Sequence, residues 1–155
     1  MMNQMTYHSK IGQFKIIEED GYIIAIQYLN KPIQDQTECG SEVLLECIQQ
    51  LDDYFEGKRK QFMLPLRPKG TPFQQRVWQA LLAIPYGKTM TYQEIAKEIG
   101  NEKACRAVGM ANHCNPIPII IPCHRVLGKN HSLTGYALGI EKKQILLDLE
   151  KENTI

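Results

Sequence analysis

The hydrophobic pattern at the start of the chain is typical of β-strands. Residues 7–17 and 22–29 are rich in β-branched and aromatic side chains. The Asp20-Gly21 pair between these two segments is a hairpin signal. The pattern therefore predicts strands joined by a tight turn, followed by a polar loop over residues 31–40.

A helix is predicted after this loop. Ser41 is a suitable N-cap, and Gly57 stands just past the end of the segment. Between them, apolar residues recur at helical spacing, at Val43, Leu44, Cys47, Ile48, Leu51 and Phe55. Residues 1–68 are therefore predicted to form a small α/β domain. Because no constellation of catalytic residues occurs in it, we expect this domain to act as a scaffold.

A basic, proline-containing connector over residues 58–69 leads into a second predicted domain, residues 69–155. Residues 71–74, Thr-Pro-Phe-Gln, form a capping box with proline in the first helical turn. The buried stripe of this helix is predicted to contain Phe73, Val77, Trp78, Leu81 and Leu82. Residues 84–87 should end the helix, and Trp78, the only tryptophan, is assigned to the core rather than to a stacking role.

Two shorter helices are predicted next. Thr91 and Glu94 form a second capping box, and Gly100 should end that helix. Asn101 is predicted to cap the following helix, from Asn101 to about Cys114. Two helices joined by a tight, glycine-containing turn indicate a helix-turn-helix. The second helix carries small residues that suit either a close approach to a narrow groove or tight packing on another helix: Ala104, Ala107, Gly109 and Ala111.

The charge of the chain is distributed unevenly. The net charge at pH 7 is +1. Residues 1–56 hold 3 Lys and Arg against 10 Asp and Glu, a net charge of −7, whereas residues 57–129 hold 12 against 3, a net charge of +9. Residues 130–155 contribute −1. The positive middle of the chain suits a polyanionic partner, although basic residues also serve solubility alone.

Composition excludes several other classes of protein. No stretch approaches the roughly 20 apolar residues that span a bilayer, and the N-terminus lacks a secretory pattern. The 5 cysteines are odd in number and form no Cys-x-x-Cys pair, so neither a disulfide framework nor a zinc site is indicated. We therefore expect a reduced, cytoplasmic protein with no metal, no other cofactor and no membrane partner.

The candidate chemistry lies in residues 121–125, Ile-Pro-Cys-His-Arg. The apolar run before it, residues 117–120, is too short and too interrupted by proline for a helix, so we predict a buried extended segment that brings Cys123 to the floor of a pocket. The thiolate is the nucleophilic form of cysteine, and imidazole and guanidinium neighbours favour it. An isolated cysteine is more often inert and buried, but the neighbours of Cys123 favour a reactive thiol.

In its second half the chain resembles the O6-alkylguanine-DNA alkyltransferases, the methylated-DNA–protein-cysteine methyltransferase family. The resemblance rests on residues 70–74, 77–78, 84–87, 91–92, 106–109, 115–117, 121–125 and 133–136, and on the pair Lys143 and Glu150. It implies an α/β fold, with a small ribonuclease-H-like α/β lobe at the N-terminus. A mostly helical C-terminal lobe would contain a winged helix-turn-helix.

The resemblance also implies a reaction. The protein would flip out O6-alkylguanine, and also O4-alkylthymine, and transfer the alkyl group irreversibly to Cys123 in a single turnover. His124 would act as base through a water molecule, with Glu150 orienting its imidazole. Tyr92 would donate its proton to the leaving guanine, and Lys143 would stabilise the geometry near Cys123.

The family resemblance assigns further residues to the substrate pocket. The backbone carbonyls of Cys123 and Val126 would accept from the exocyclic amine of the base, and the amide of Ala137 would point at its O6. Tyr136 would form a wall of the pocket. Asn115 would tie the recognition helix to the segment that carries the acceptor cysteine.

The remaining implied residues bind double-stranded DNA in the minor groove. Arg106 would enter the duplex in place of the flipped nucleotide, since a stacked guanine buries its O6 in a base pair. The other implied DNA contacts come from Gln93, Ala104, Ala107 and Gly109. The acting species is expected to be a monomer.

Two departures from the family pattern and two other functions are relevant. His131 stands where the family commonly has glycine, and Leu138 occupies a position of varying size, which leaves the size of the accepted alkyl group open. A non-catalytic lesion-binding module, as in the alkyltransferase-like proteins, would lack Cys123. A Cys/His hydrolase would need an oxyanion hole and would turn over, and it gives no reason for a helix-turn-helix. Alkyl transfer is therefore the predicted function.

Overall fold

The structure is a computed structural model that describes residues 2–31 and 40–154. It divides into two compact units, residues 1–69 and 70–155. Most of the predicted polar loop, residues 32–39, lies outside the described residues. Along the described part of the chain, no helix is both long and apolar enough to cross a bilayer.

The described residues of the first unit include an antiparallel sheet. Its strands, in spatial order, are β1 (Met2–Ser9), β2 (Gly12–Glu19) and β3 (Tyr22–Tyr28). The predicted turn at Asp20-Gly21 is confirmed, with φ of 52° and 85°. The prediction of one strand over residues 7–17 is wrong, because the chain turns at Lys10-Ile11. The signal that was overlooked lies in the flanking residues: Ser9 Oγ accepts from the N–H of Ile11 at 3.1 Å, and Gly12 has a φ of 126°.

Helix α1 (Glu42–Phe55) begins and ends where the sequence predicts. Ser41 Oγ accepts from the backbone N–H of Leu44 at 3.3 Å, and Gly57 follows the C-cap residue. The buried face of the helix is formed by Leu44, Cys47, Gln50, Leu51, Tyr54 and Phe55. This face packs on the sheet of the first unit and completes its core.

The second unit begins with helix α2 (Pro72–Leu82), which starts at the predicted Thr71 capping box. Its buried side chains are Val77, Trp78 and Leu81. Leu82 is 40% exposed, so its predicted place in the buried stripe is wrong; it follows Leu81 onto the flank that faces solvent. Trp78 is in the core, as predicted, and its indole N–H donates to the carbonyl of Ala111 at 2.9 Å.

Helices α3 (Tyr92–Glu98) and α4 (Cys105–His113) form the helix-turn-helix. The Thr91 capping box of α3 is confirmed. Helix α4 begins later than predicted, because its N-cap is Ala104 rather than Asn101. The N–H of Ala104 donates to the carbonyl of Asn101 at 3.0 Å and closes a turn before the helix.

The small residues of α4 and its N-cap lie in different environments. Ala111 is buried, together with Val108 and Asn112, and packs inside the unit. Ala107 is exposed, whereas Ala104 and Gly109 are partly covered. One face of α4 therefore contributes to the core, and the opposite face presents a small side chain to solvent.

The segment after α4 is buried as predicted, but it is not extended. Ile121 N–H donates to the carbonyl of Ile117 at 3.0 Å, closing a turn in which Ile119 has a φ of 75°. Cys123 then begins a 3₁₀ turn that ends at Arg125. A turn of this kind was not predictable from the apolar run, because β-branched residues rarely adopt positive φ.

The 3₁₀ turn leads directly into strand β5 (Val126–Leu127). This strand pairs in parallel with β4 (Met90–Thr91), which immediately precedes α3. The pairing therefore places the first residue of α3, Tyr92, near the segment that carries Cys123. Helix α5 (Ile140–Glu152) closes the unit and packs on the 3₁₀ turn.

Candidate active site

Cys123 is buried at the start of the 3₁₀ turn, with 2% of its surface exposed. Burial raises the pKa of its thiol to about 11, and the Asn115 side chain and the Lys143 ammonium group only partly offset that effect. Arg125, which the sequence suggested would favour the thiolate, is directed to Glu150 instead. The free protein therefore holds Cys123 as a thiol, and a reaction at this sulfur requires a base.

His124, the next residue, is paired with a buried carboxylate. Its Nε2 lies 2.6 Å from Glu150 Oε2, and both side chains are buried. Burial lowers the pKa of His124 and keeps the imidazole neutral. Because an ionised carboxylate only accepts hydrogen bonds, the single imidazole proton is on Nε2. Nδ1 has no hydrogen-bond partner among the described residues, so its lone pair is available.

Glu150 is ionised because of a residue that the sequence did not connect with it. Arg125 Nε donates to Oε1 at 2.7 Å and Nη2 donates to Oε2 at 3.0 Å, while Nη1 donates to the carbonyl of Ile84 at 2.8 Å. Burial raises the pKa of Glu150, but the hydrogen bonds from His124 and Arg125, together with the positive charge of Arg125, outweigh burial and lower it to about 2. The two residues are 25 positions apart, so no local pattern links them.

Lys143 is fully buried and ties two segments of the site together. Its Nζ donates to the carbonyl of Val126 at 2.5 Å and to that of Thr134 at 2.8 Å. Burial lowers the pKa of Lys143 to about 8, and the proximity of Cys123 acts in the opposite direction. The structure thus brings Lys143 close to Cys123. Because Lys143 donates to the Val126 carbonyl, one of the two lone pairs of that oxygen is already occupied.

Tyr92 is bonded to the 128–139 loop, which also contains Tyr136. The Tyr92 hydroxyl donates to the carbonyl of Gly135 at 3.2 Å. Tyr136 is 7% exposed, and burial, followed by the nearby Cys123, raises its pKa well above the ordinary value. Ala137, the next residue, is exposed.

Asn115 fixes the turn that leads to the cysteine. Its Nδ2 donates to the carbonyl of Ile121 at 2.8 Å, and its Oδ1 accepts from the N–H of Ile117 at 3.0 Å. Both bonds lie within the segment between α4 and Cys123. Asn115 therefore sets the shape of this turn.

A second asparagine, which the sequence analysis missed, connects α4 directly to Cys123. Asn112 is 2% exposed, and its Nδ2 donates to the carbonyl of Cys123 at 3.3 Å. The available signal was its position: Asn112 falls on the helical stripe of Val108 and Ala111, where an apolar residue is expected.

The candidate DNA-contacting residues lie on α3, on α4 or at its N-cap. Arg106 and Ala107 are exposed, and Gln93 is exposed with its Nε2 donating to the carbonyl of Glu102 at 3.0 Å. Ala104 and Gly109 are partly covered. A Cβ on Gly109 would lie 4.0 Å from the ring of Tyr92, an ordinary van der Waals distance, so the tyrosine ring lies beside α4 at this residue.

His131 takes the backbone conformation expected of a glycine. Its φ is 60°, and that of Asn130 is 59°. Positive φ is the left-handed region that glycine enters most easily. The loop therefore keeps a left-handed residue at the position where the resemblance predicts glycine.

The cysteines in the described part of the chain are separate thiols. Cys47, Cys105, Cys114 and Cys123 are free. Within residues 2–31 and 40–154, no three His, Cys, Asp or Glu side chains are grouped closely enough to hold a metal ion. Cys39 lies outside the described residues.

Both units match family models. Residues 2–68 match the 6-O-methylguanine DNA methyltransferase ribonuclease-like domain, and residues 72–152 match the DNA binding domain of the same name. A methylated-DNA–protein-cysteine methyltransferase of Methanosarcina acetivorans is 59% identical over 109 residues, 70% of each chain. The constitutive one of Bacillus subtilis is 46% identical over 155 residues, covering 94% of this chain and 93% of the relative.

A solved structure agrees with these relatives. The crystal structure of Mycobacterium tuberculosis OGT in complex with DNA has a TM-score of 0.88 and 43% identity, over 97% of this chain and 93% of that one. The chain therefore belongs to the methylated-DNA–protein-cysteine methyltransferase family. The family, the enzyme class and the α/β fold class predicted from the sequence are confirmed.

Proposed function

We propose that this protein repairs alkylated DNA by moving an alkyl group from O6 of guanine, and from O4 of thymine, to Sγ of Cys123. The proposal rests on one observation: a buried thiol is followed by an imidazole whose Nε2 donates to Glu150 and whose Nδ1 has no hydrogen-bond partner in the described part of the chain. Family membership supplies the substrate class, since the relatives are named for methylated DNA and protein cysteine.

The first step is removal of the thiol proton. His124 Nδ1 would take it through an intervening water molecule, and the resulting imidazolium would be stabilised by the Glu150 carboxylate 2.6 Å away. Arg125 keeps Glu150 ionised throughout, so Glu150 does not itself take up the proton. The thiolate forms only in the presence of this base, because burial alone raises the pKa of Cys123.

Displacement at the alkyl carbon follows. The S–C bond forms as the C–O bond breaks, and the electron pair of the broken bond stays on the departing base. Tyr92 would donate its proton to that base, and the proton taken from Cys123 would restore the tyrosine through solvent. The sum is one thioether and one unmodified guanine, with no oxidant or reductant required.

Access to O6 requires that the base leave the helix. Arg106 is exposed on α4, and the proposal places its side chain in the gap left by the flipped nucleotide. The exposed Ala107 and the partly covered Ala104 and Gly109 would let the helix backbone approach the minor groove closely, with Gln93 contacting the DNA nearby. The positive net charge of +9 over residues 57–129 favours this association.

Within the pocket, the proposed contacts to the base come from backbone groups. The carbonyls of Cys123 and Val126 would accept from its exocyclic amine, and the amide of Ala137 would face O6. Tyr136 would form one wall, and Asn115 would hold the turn beneath. Lys143, bound to the carbonyls of Val126 and Thr134, would keep these groups in place.

The reaction would consume the protein. A thioether is not hydrolysed under mild conditions, so each protein molecule accepts one alkyl group and repairs one lesion. A Cys/His hydrolase built on the same residues would turn over repeatedly. A non-catalytic lesion-binding protein would bind the DNA without a mass change.

The test is to locate the transferred group. The protein is incubated with duplex DNA containing O6-methylguanine and analysed by peptide mass mapping, with Cys123→Ser as the matched variant. The proposal predicts a methyl group on Cys123 in the unchanged protein, and DNA binding without transfer in Cys123→Ser. A methyl group on Cys39, Cys47, Cys105 or Cys114 instead would refute it.

A further inference from the structure

Helix α4 and its C-cap have one exposed face, and Met110 lies at the centre of it. The exposed positions are Arg106, Ala107, Met110, His113 and Cys114. At about 100° of rotation per residue, Met110 stands about 40° from Arg106 and about 60° from Ala107, on the middle line of this face. The buried side chains of α4 project from the opposite side of the helix. Met110 is therefore the side chain of α4 that is directed most squarely away from the unit.

Met110 is also the large apolar side chain of that face. It is 63% exposed, and its neighbours on the face are small or polar. Single exposed apolar residues are common on protein surfaces, so exposure alone assigns no role to Met110. Its position adds the missing information, because Met110 follows Arg106 by four residues and the two side chains are neighbours on adjacent turns.

The central position of Met110 affects how α4 can meet DNA. In the proposed function this helix lies in the minor groove, with Arg106 in the gap left by the flipped nucleotide. Met110, on the middle line of the same face, is then the first side chain to enter the groove. The minor groove is about 6 Å wide, and the side chain of methionine is unbranched and flexible, so the groove admits it.

The spacing of the two residues places Met110 close to the target nucleotide. Four residues of helix cover about 6 Å along the axis, close to two base-pair steps of about 3.4 Å each. Proteins that bind the minor groove insert apolar side chains, methionine among them, between base steps and partly unstack them. A nucleotide whose stacking is already loosened is less costly to extrude.

The charge around Met110 favours DNA over an apolar protein surface as the occupant of this face. Every residue of α4 is neutral or basic, and the exposed Arg106 stands beside Met110. Residues 57–129, which include α4, have a net charge of +9. A polyanion is attracted to such a surface, whereas a neutral apolar partner gains nothing from the charge.

We propose that Met110 is a wedge that enters the minor groove beside Arg106 and loosens the stacking of a base step near the target, so that the nucleotide flips more easily. This inference rests on the proposed function, which makes α4 the helix that faces the groove. Met110 touches the DNA but neither the alkyl group nor Cys123. It acts on extrusion of the base and not on the displacement step.

The first part of the test measures binding in the Cys123→Ser background, where no transfer occurs. The duplexes contain O6-methylguanine together with 2-aminopurine, whose fluorescence rises when the base is unstacked, at successive positions on each side of the lesion. Met110→Ala removes most of the side chain, and Met110→Leu keeps an apolar wedge of similar volume. The matched control is Met63→Ala, which truncates a methionine that is 78% exposed in the first unit.

The second part of the test measures transfer with Cys123 in place. The same three substitutions are compared with the unchanged protein by the single-turnover rate of methyl transfer from saturating duplex DNA. The melting temperature of each variant is recorded, and it should not change, because Met110 and Met63 are exposed.

Met110→Ala should weaken binding to the duplex by about tenfold, because the burial of a methionine side chain in the groove is lost. It should also remove the rise in 2-aminopurine fluorescence near the lesion and slow transfer by about tenfold. Met110→Leu should stay within about twofold of the unchanged protein in each measurement, since the swap conserves volume. Met63→Ala should behave as the unchanged protein does.

Unchanged or tighter binding by Met110→Ala would overturn the inference, because the side chain would then stay out of the groove. Weaker binding with the full rise in fluorescence, or a Met110→Leu variant as impaired as Met110→Ala, would overturn it as well. None of these outcomes affects transfer to Cys123. If the unchanged protein transfers no methyl group, the proposed function fails instead, and the role of Met110 fails with it.

Discussion

Arg125 and Glu150 form a two-point ion pair in the interior of the second unit, with Nε 2.7 Å from Oε1 and Nη2 3.0 Å from Oε2. Because the guanidinium keeps the carboxylate charged, Glu150 can only accept the hydrogen bond from His124. The proton of the imidazole is thereby fixed on Nε2, and Nδ1 keeps its lone pair. The ion pair is thus a structural element that also sets the protonation state of the proposed base.

Glu150→Gln should therefore destabilise the protein strongly. The change leaves the Arg125 guanidinium buried without a counter-charge, and breaking a buried pair in this way typically costs about 3–5 kcal/mol. The free energy of unfolding, measured with denaturant, checks the prediction. Glu141→Gln is the control, because Glu141 is exposed in the first turn of the same helix, α5. A loss no larger for Glu150→Gln than for Glu141→Gln would contradict this account of the ion pair.

The stability gap between these proteins should also depend on pH. Although burial raises the pKa of Glu150, its partners lower it from 4.5 to about 2. A carboxyl whose pKa is depressed in the folded state stabilises that state above its unfolded pKa and ceases to do so as pH falls through the folded value. The difference in unfolding free energy between the unchanged protein and Glu150→Gln should therefore be largest above pH 4.5 and should decrease as the pH falls toward 2. A difference in unfolding free energy that increases as the pH falls would contradict this prediction.

Local features of the fold were predictable from the sequence because they depend on neighbouring residues. The N-caps at Ser41, Thr71 and Thr91 are confirmed, since a cap bonds to a backbone group only three residues away. The turn at Lys10-Ile11 was missed because its two residues do not favour a turn and the flanking Ser9 and Gly12, which close it, stand inside an otherwise strand-like pattern. The start of α4 was placed too early because Asn101 is a good cap in sequence, yet it closes a separate turn in the structure.

The parts of the site that were missed depend on long-range contacts. Cys123, His124 and Glu150 were identified through the family resemblance, but the bidentate contact of Arg125 with Glu150 depends on how α5 packs on the 3₁₀ turn. Asn112 meets the Cys123 carbonyl across 11 residues that include a turn with positive φ at Ile119. Neither contact has a sequence spacing that would reveal it.

The thiols should differ sharply in reactivity toward a general electrophile. Cys114 is exposed and Cys105 is partly covered, whereas Cys47 and Cys123 are buried and burial raises their pKa to about 12 and about 11. Iodoacetamide should therefore modify Cys114 first and Cys123 far more slowly, as followed by peptide mass mapping. Protein unfolded in denaturant, where these thiols become equivalent, is the control. Labelling of Cys123 as fast as Cys114 would show that the sulfur is accessible and ionised.

Arg106→Ala should separate extrusion of the base from transfer. Flipping a nucleotide costs a few kcal/mol, and the proposed role of Arg106 is to offset part of that cost. The variant should slow methyl transfer from duplex DNA by about tenfold or more, while transfer from the free base O6-benzylguanine, where no flipping is needed, should change by less than about twofold. Lys151→Ala, which removes one positive charge from an exposed position on α5, is the control. An equal loss of transfer rate on both substrates would show that Arg106 acts in the base pocket or in folding rather than in extrusion of the base.

The most direct measurement is the stoichiometry of transfer. The protein is incubated with a large molar excess of duplex DNA containing O6-methylguanine, and its intact mass and the number of repaired bases are followed until both stop changing. The account predicts one added methyl group on each protein molecule, located on Cys123, and one repaired guanine for each protein consumed. Repair that continues beyond one base per protein, or repair with no change in protein mass, would contradict it.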